Sequence, residues 1–365
     1  MTLEPYQTKA VHWLSARSRG IIVAPAGAGK TILMAAALDS VLSLKQRSNI
    51  VLIGWMCHTL EQKQQAQAAL DNFPELSKAA TVTIECAAAE TDWSAFDVLV
   101  VDEVHWAGCD QWSKQVLSCN GARWGMTATP FGDDPERNEF LLSLFDHNLM
   151  EIGRHEVVNR LVPAVVHLLD DTDAGIRDVM EAEIERTIQR RRHWFKGADW
   201  ELRAQVTWHV CIKRGIVGNA ARNAKVVELA KRHAADSVLI LVNEIEHGKE
   251  LAERIPGSRM CFSKMGRPSR KRTLETFKEG EVKCIIATSL GDEGLDLPKA
   301  NVLIMVSGGR SANKTIQRTG RVLRSYPGKT HGLIYDFPDR QHPMMERHAN
   351  KRIATYRMLG YRIEL

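Results

Sequence analysis

The 365 residues contain no run of about 18 consecutive apolar side chains, the length a helix needs to cross a bilayer, so no membrane span is expected. Cys-x-x-Cys pairs are missing too. The seven cysteines, at 57, 86, 109, 119, 211, 261 and 284, follow no pattern, which argues against a zinc site and reads as small, reduced core residues. The opening MTLEPYQTKAV lacks the basic-then-apolar layout of a secretory signal, and the expected location is the cytoplasm. No internal repeat or low-complexity tract is visible.

What is present is globular: 44% apolar and 25% charged residues, enough chain for two domains with a core each. The net charge of +5 hides an asymmetry. Residues 1–150 hold 11 Lys and Arg against 17 Asp and Glu, while the remainder holds 38 against 27. An acidic half joined to a basic half points to a polyanion held mainly by the second.

Residues 5–18 read as a helix opened by Pro5 and stopped by Gly20. Short apolar runs at 21–23, 50–53, 81–85, 98–101 and 124–127 read as strands, with helices after the first two. Residues 162–169 read as a strand that begins the second half. A charged, helix-patterned insertion follows at about 174–215. Strands are then expected at 238–242, 283–287, 302–306 and 332–336. Helices are expected at 223–235, 246–254, 268–279, 312–323 and 343–360. Strands alternating with helices argue for α/β architecture with parallel sheets covered on both faces. The expected domains are 1–152 and 153–365, with the hinge near 150–160.

The strand at 21–23 enters Ala24-Pro25-Ala26-Gly27-Ala28-Gly29-Lys30-Thr31 and then a helix, which is a P-loop. Gly27 and Gly29 let backbone N–H groups, Ala28's included, point at phosphate oxygens, and the helix N-terminus favours the same anion. Lys30 reaches the β- and γ-phosphates and Thr31 the Mg²⁺. The strand at 98–101 runs into Asp102-Glu103-Val104-His105. A carboxylate at the C-terminal end of a parallel strand lies where ligands bind. Asp102 is the expected Mg²⁺ ligand and Glu103 the residue that orients or deprotonates water.

The ordered motifs resemble the superfamily 2 helicases of the DExH type, nearest the branch of phage DNA-remodelling helicases and the related repair and transcription helicase. The resemblance covers roughly residues 3–360. It implies two tandem RecA-like domains with an interdomain ATP cleft, and ATP and Mg²⁺ as cofactors. It places Gln7, in Leu3-Glu4-Pro5-Tyr6-Gln7, on the adenine edge. It makes Thr127 and Thr129 of Thr127-Ala128-Thr129-Pro130 a link to the nucleic-acid track. Thr288 would bind a backbone phosphate, Gly294 would allow a close turn and Asp296 would face the cleft, within Ile285 to Pro298. In Gln317-Arg318-Thr319-Gly320-Arg321-Val322-Leu323-Arg324, it gives Gln317, Arg321 and Arg324 the γ-phosphate. On a helix these three share one face. The chain departs from the family at Trp55-Met56-Cys57-His58-Thr59-Leu60-Glu61-Gln62, where a backbone-gripping Pro-x-Arg is missing.

Three segments are basic enough to meet phosphates. The loop Ser263 to Arg272, with Lys264, Arg267 and Arg270, sits where the family tracks a strand. Arg186 to Lys196 carries Trp194 and Phe195, which either stack on a base or dock the helix on the core. The last helix offers Arg347, Lys351, Arg352 and Arg357. Trp106, Trp112 and Trp124 read as packing. The expected function is an ATP-dependent nucleic-acid helicase or translocase, with DNA favoured over RNA, acting in unwinding, annealing or branch migration. It is read as a monomer, open to a protein partner for substrate choice. The alternative is a double-strand DNA translocase within a larger complex such as a restriction system.

Overall fold

The computed structural model describes residues 2–44, 50–132, 134–157, 159–171, 175–262, 264–288, 297–307, 309 and 311–364. These fall into two compact units, Met1–Leu161 and Val162–Leu365.

Unit 1 contains α1 (Pro5–Ser15), β1 (Arg19–Val23), α2 (Lys30–Leu44), β2 (Val51–Cys57), α3 (Leu60–Leu70), α4 (Pro74–Ala79), β3 (Ala80–Cys86), β4 (Val98–Asp102), α5 (Asp110–Ser118), β5 (Ala122–Thr127), α6 (Pro135–Ser143) and β6 (Leu149–Glu151). Its six strands lie in the order β3-β2-β4-β5-β1-β6 and every pairing is parallel. All five residues of β4 are buried, as a strand covered on both faces requires. Helix starts are set by side chains: the Thr59 hydroxyl accepts from Gln62 N–H at 3.2 Å and Gln62 Oε1 accepts from Thr59 N–H at 3.0 Å, closing a capping box before α3.

Unit 2 contains β7 (Ala164–Leu168), α7 (Ile176–Arg191), α8 (Asp199–Val210), a π-helical stretch Cys211–Val217, α9 (Ala220–Arg232), β8 (Val238–Leu241), α10 (Ile245–Arg254), β9 (Arg259–Cys261), α11 (Arg267–Glu279), β10 (Cys284–Ala287), β11 (Val302–Met305), α12 (Ala312–Arg321), β12 (Gly332–Asp336), α13 (Pro343–Met358) and β13 (Arg362–Glu364). Its seven strands, again all parallel, run β13-β7-β12-β11-β8-β10-β9. The charged insertion is a helical pair. Met180 and Ile184 of α7, with Leu202, Val206 and Val210 of α8, are buried in the unit's apolar core.

The C-terminal ends of β11 and β12 meet a buried ionic network. Arg222 of α9 binds Asp171 at 2.5 Å and also Asp339, and donates to the Val306 carbonyl at 2.9 Å. Arg352 of α13 binds Asp336 and Asp339, both at 2.9 Å, and donates to the Gly309 carbonyl at 2.9 Å. Tyr356 donates to Asp336 at 2.7 Å. Burial works to raise the Asp339 carboxyl, but the two guanidiniums outweigh it and hold it below the usual range. Arg352 was a candidate phosphate contact on the last helix. At 1% exposure it is a structural cation, because α13 turns this face onto the sheet.

Two departures from the sequence reading stand out. The three-residue strands β6, β9 and β13 carry no periodicity of their own and exist because a neighbouring strand pairs with them. The helix expected at 312–323 stops at Arg321. Val322 and Leu323 turn into the core, and the Leu323 carbonyl accepts from Val162 N–H at 2.7 Å, which draws the chain off the helix.

Candidate nucleotide-hydrolysis site

The P-loop joins β1 to α2, and its conformation depends on its glycines. Gly27 and Gly29 have φ of 91° and 73°, a region that side chains disfavour. A Cβ on Gly29 would also stand 2.8 Å from Gln7 Nε2 and 3.3 Å from Arg160 Nη1. Helix α1 braces the loop from behind: Tyr6 Oη donates to the Ala28 carbonyl at 2.8 Å, and Gln7 Nε2 donates to the carbonyls of Ala28 at 3.2 Å and Gly29 at 3.5 Å. Gln7 Oε1 accepts from Glu4 N–H at 3.0 Å. Gln7 was expected to meet the adenine edge. In this structure it is fully buried, and its amide is spent on the P-loop and the start of α1. Lys30 Nζ lies over the loop, 3.1 Å from the Ala24 carbonyl and 3.4 Å from that of Pro25. Thr31 follows it as the second residue of α2.

The acidic pair sits at the end of β4, two strands from β1 in the sheet order. Asp102 Oδ1 accepts from Glu103 N–H at 2.9 Å. Glu103 adopts left-handed backbone geometry, φ 49° and ψ 51°, which costs a non-glycine residue about 1–2 kcal/mol and aims its side chain away from the strand direction. Its carboxylate is met by the Thr127 hydroxyl, donating at 3.3 Å, and by His105 Nδ1 at 3.4 Å. His105 Nδ1 and Thr127 Oγ1 are themselves 3.0 Å apart. Burial, and then the Glu103 charge, push the Asp102 carboxyl up to about 7 against the pull of Lys30. Burial also works to raise Glu103, but the His105 hydrogen bond and the Lys30 charge outweigh it and leave Glu103 below its ordinary value. The two neighbours are thus driven apart, Asp102 toward a protonated carboxyl that a cation would ionise and Glu103 toward a carboxylate that stays ionised.

Thr127 and Thr129 are both buried. The Thr127 hydroxyl is directed to Glu103 and accepts from Thr129 N–H at 3.1 Å, so the Thr-Ala-Thr turn belongs to the acidic site in this structure. Where Pro-x-Arg is missing, His58 stacks on Trp106 with ring centroids 5.2 Å apart and planes 6° apart. Trp112 and Trp124 are buried, as packing residues should be. Arg160 was not singled out by any motif. Its guanidinium reaches the P-loop at Gly29, and a lone arginine in an unpatterned segment offers no signal in the sequence.

In unit 2, Gln317 and Arg321 lie four residues apart on α12. Arg324 was expected on the same helical face, but it lies beyond the helix end. Thr288 is buried at the end of β10, with its N–H directed to the Cys261 carbonyl at 3.3 Å. Lys264 is exposed and Arg270 half-buried at the start of α11. Gly294, Asp296 and the Arg267 side chain lie outside the described residues.

A P-loop between strand and helix, an acidic pair on a nearby parallel strand and a second parallel α/β unit define a P-loop nucleoside triphosphatase of tandem RecA-like build. Two family models match in order: "Type III restriction enzyme, res subunit" over residues 1–92 and "Helicase conserved C-terminal domain" over residues 221–326. Both matches support the resemblance to the superfamily 2 helicases, near the branch that the motifs resemble. It is 26% identical, over its whole length, to 58% of a Halobacterium salinarum protein named for a Rad25 DNA 3'-5' helicase. It is 24% identical, over 88% of its length, to 78% of the DNA 3'-5' translocase XPB2 of Sulfurisphaera tokodaii. In fold it is similar to the ATP-dependent Type ISP restriction-modification enzyme LlaBIII bound to DNA, at a TM-score of 0.66 and 15% identity, over 98% of this chain and 30% of that one.

Proposed function

We propose that this protein is an ATP-driven DNA helicase or translocase. The observation that carries the reading is the cluster of Lys30, Asp102, Glu103, His105 and Thr127 beside a glycine-shaped P-loop. The P-loop N–H groups and Lys30 would hold the triphosphate, and Glu103 would take a proton from water. Asp102 and Thr31 offer the hard oxygen donors that Mg²⁺ prefers, and a buried carboxyl held near 7 is one that a cation would stabilise as its anion. Among the described residues no three His, Cys, Asp or Glu side chains form a metal cluster. The triphosphate and water would supply further ligands. Bound Mg²⁺ would neutralise charge on the phosphate oxygens.

Motif order supports a further role for Gln317, Arg321 and Arg324 as the groups that stabilise charge on the γ-phosphate. Nucleotide-driven closing and opening of the two RecA-like units would then move the chain along its track. Lys264, Arg267, Arg270 and Thr288 are the proposed backbone-phosphate contacts. DNA is favoured because the similar proteins are named as DNA helicases and translocases. A second reading, a double-strand DNA translocase in a restriction assembly, is favoured by the description of the family model matched by residues 1–92.

The test is ATP turnover with single-stranded DNA, duplex DNA, forked DNA or RNA added. Stimulation by DNA is expected, and turnover indifferent to every polynucleotide would overturn the motor reading. Strand separation on the fork would favour the helicase over the restriction translocase.

Arg160 is proposed as an added nucleotide contact, because its cation stands at the P-loop. Arg160→Ala is expected to raise the KM for ATP by roughly 5–10-fold with a smaller change in kcat, as loss of a binding contact should. An unchanged KM in steady-state ATPase assays would remove Arg160 from the site.

A further inference from the structure

The insertion in unit 2 carries aromatic residues that the fold does not need. Of the nine tryptophans, six are buried or half-buried and lie in unit 1. The other three, Trp194, Trp200 and Trp208, all fall on the α7–α8 pair. Trp208 is braced by His348 of α13, with ring centroids 5.5 Å apart. Trp194 and Trp200 flank the turn between the helices and are 68% and 70% exposed.

The pair has a firm base beneath that turn. Its apolar face lies in the unit 2 core, Arg203 binds Glu185 across the two helices at 2.5 Å, and Glu181 of α7 stands 3.3 Å from His342 at the start of α13. The exposed rings are therefore not the residue of a loose element. They sit at the tip of a helical pair whose base is packed into the core, which suits a recognition surface.

Charge selects the partner. From Arg186 to Lys196 the chain holds five cations, Arg186, Arg190, Arg191, Arg192 and Lys196, and no acid. Among the described residues, Arg192 pairs with Asp199 at the turn at 2.7 Å, and both partners are more than 60% exposed and so weakly held. Cations beside flat exposed rings fit a strand whose phosphates are anionic and whose bases are unpaired. Duplex DNA hides its base faces, whereas an unpaired strand offers them for stacking.

We infer that the tip of the α7–α8 pair is a binding site for an unpaired nucleic-acid strand, with Trp194 and Trp200 stacking on bases and Arg190 and Arg191 meeting phosphates. This rests on the motor reading and adds a strand-specific contact outside the helicase motifs. A protein partner is the competing occupant, and the experiment separates the two.

The test is anisotropy of a fluorescent oligo(dT) with the full chain, across a range of salt. The Trp194→Ala/Trp200→Ala variant is expected to bind about 10-fold or more weakly. Trp194→Phe/Trp200→Phe should recover most of that loss, since a smaller ring still stacks. Arg190→Ala/Arg191→Ala should flatten the dependence of log affinity on log salt by about 1–2. The exposed tryptophan positions predict an unchanged melting temperature in their variants, and half-buried Arg191 predicts at most a small shift in the arginine variant. Wild-type affinity in both Ala variants overturns the inference and leaves the surface to a protein partner. That result, with DNA-stimulated ATP turnover intact, would leave the motor reading standing. Loss of stimulation in the wild-type chain would bring down both.

Discussion

Replacing Glu103 with Gln is expected to leave nucleotide binding intact and to lower DNA-stimulated ATP turnover by about 10²–10⁴-fold, the range for loss of a positioned general base. The substitution keeps the shape of the side chain and its contacts to Thr127 and His105 while removing the charge. The expectation is sharp because the structure has already committed this carboxylate to the anionic form. The His105 hydrogen bond, the Lys30 charge and the Thr127 hydroxyl together overcome its burial. Lys30 would remain to hold phosphate, so binding of a fluorescent nucleotide should survive. Turnover within a few-fold of wild type in single-turnover assays would show that another group handles the proton, and His105, 3.4 Å away, would be the first to examine.

The largest stability effect is expected at Arg352. Changing it to Met removes the partner of Asp336 and part of the partnership of Asp339 in a site where Arg352 and Asp336 are each only 1% exposed. Truncating one member of a buried ion pair leaves a charge without compensation and costs about 3–5 kcal/mol. Urea unfolding followed by hydrogen exchange in β12 and α13 should report that loss in unit 2, and a loss below about 1 kcal/mol would contradict the burial argument. Activity should suffer as well. Arg222 and Arg352 hold the carbonyls of Val306 and Gly309, and Arg318 donates to that of Ser307 at 3.2 Å. These carbonyls lie on the segment that leads into α12, the helix of Gln317 and Arg321. Arg352→Lys keeps the charge but not the fork of donors, and should recover stability only in part.

Both predictions concern residues whose roles were unequally visible in the sequence. Lys30, Thr31, Asp102 and Glu103 announce themselves, because a P-loop and an acid after an apolar strand are local patterns with fixed spacing. The parallel α/β character follows from apolar runs alternating with amphipathic helices, and it was legible for the same reason. Arg352 was not legible. Its sequence neighbours are those of a solvated basic helix, and only the packing of α13 on the sheet reveals that Asp336 and Asp339 face it. Arg160 is similar: nothing near it in the chain marks it, and its approach to the P-loop, 3.3 Å from where a Cβ on Gly29 would stand, joins distant parts of the chain.

Gln7 and Arg324 sit differently from what local pattern alone suggests. The amide of Gln7 could have faced a base. The lie of α1 against the P-loop turned it inward, since a buried amide takes the nearest carbonyls available. Arg324 has the right helical spacing from Gln317, but spacing matters only while the helix lasts. Burial of Val322 and Leu323 ended it at Arg321.

The sequence by itself therefore determined the two α/β units, the phosphate loop and the acidic pair, since each is written in residues close together along the chain. Tertiary structure alone decided the state of those groups. It held Glu103 below its ordinary value in spite of burial, through His105, Lys30 and Thr127, raised the Asp102 carboxyl, buried Arg352 among carboxylates, and left Trp194 and Trp200 in solvent. Burial and long-range neighbours set charge and exposure, and neither is a local property of the chain.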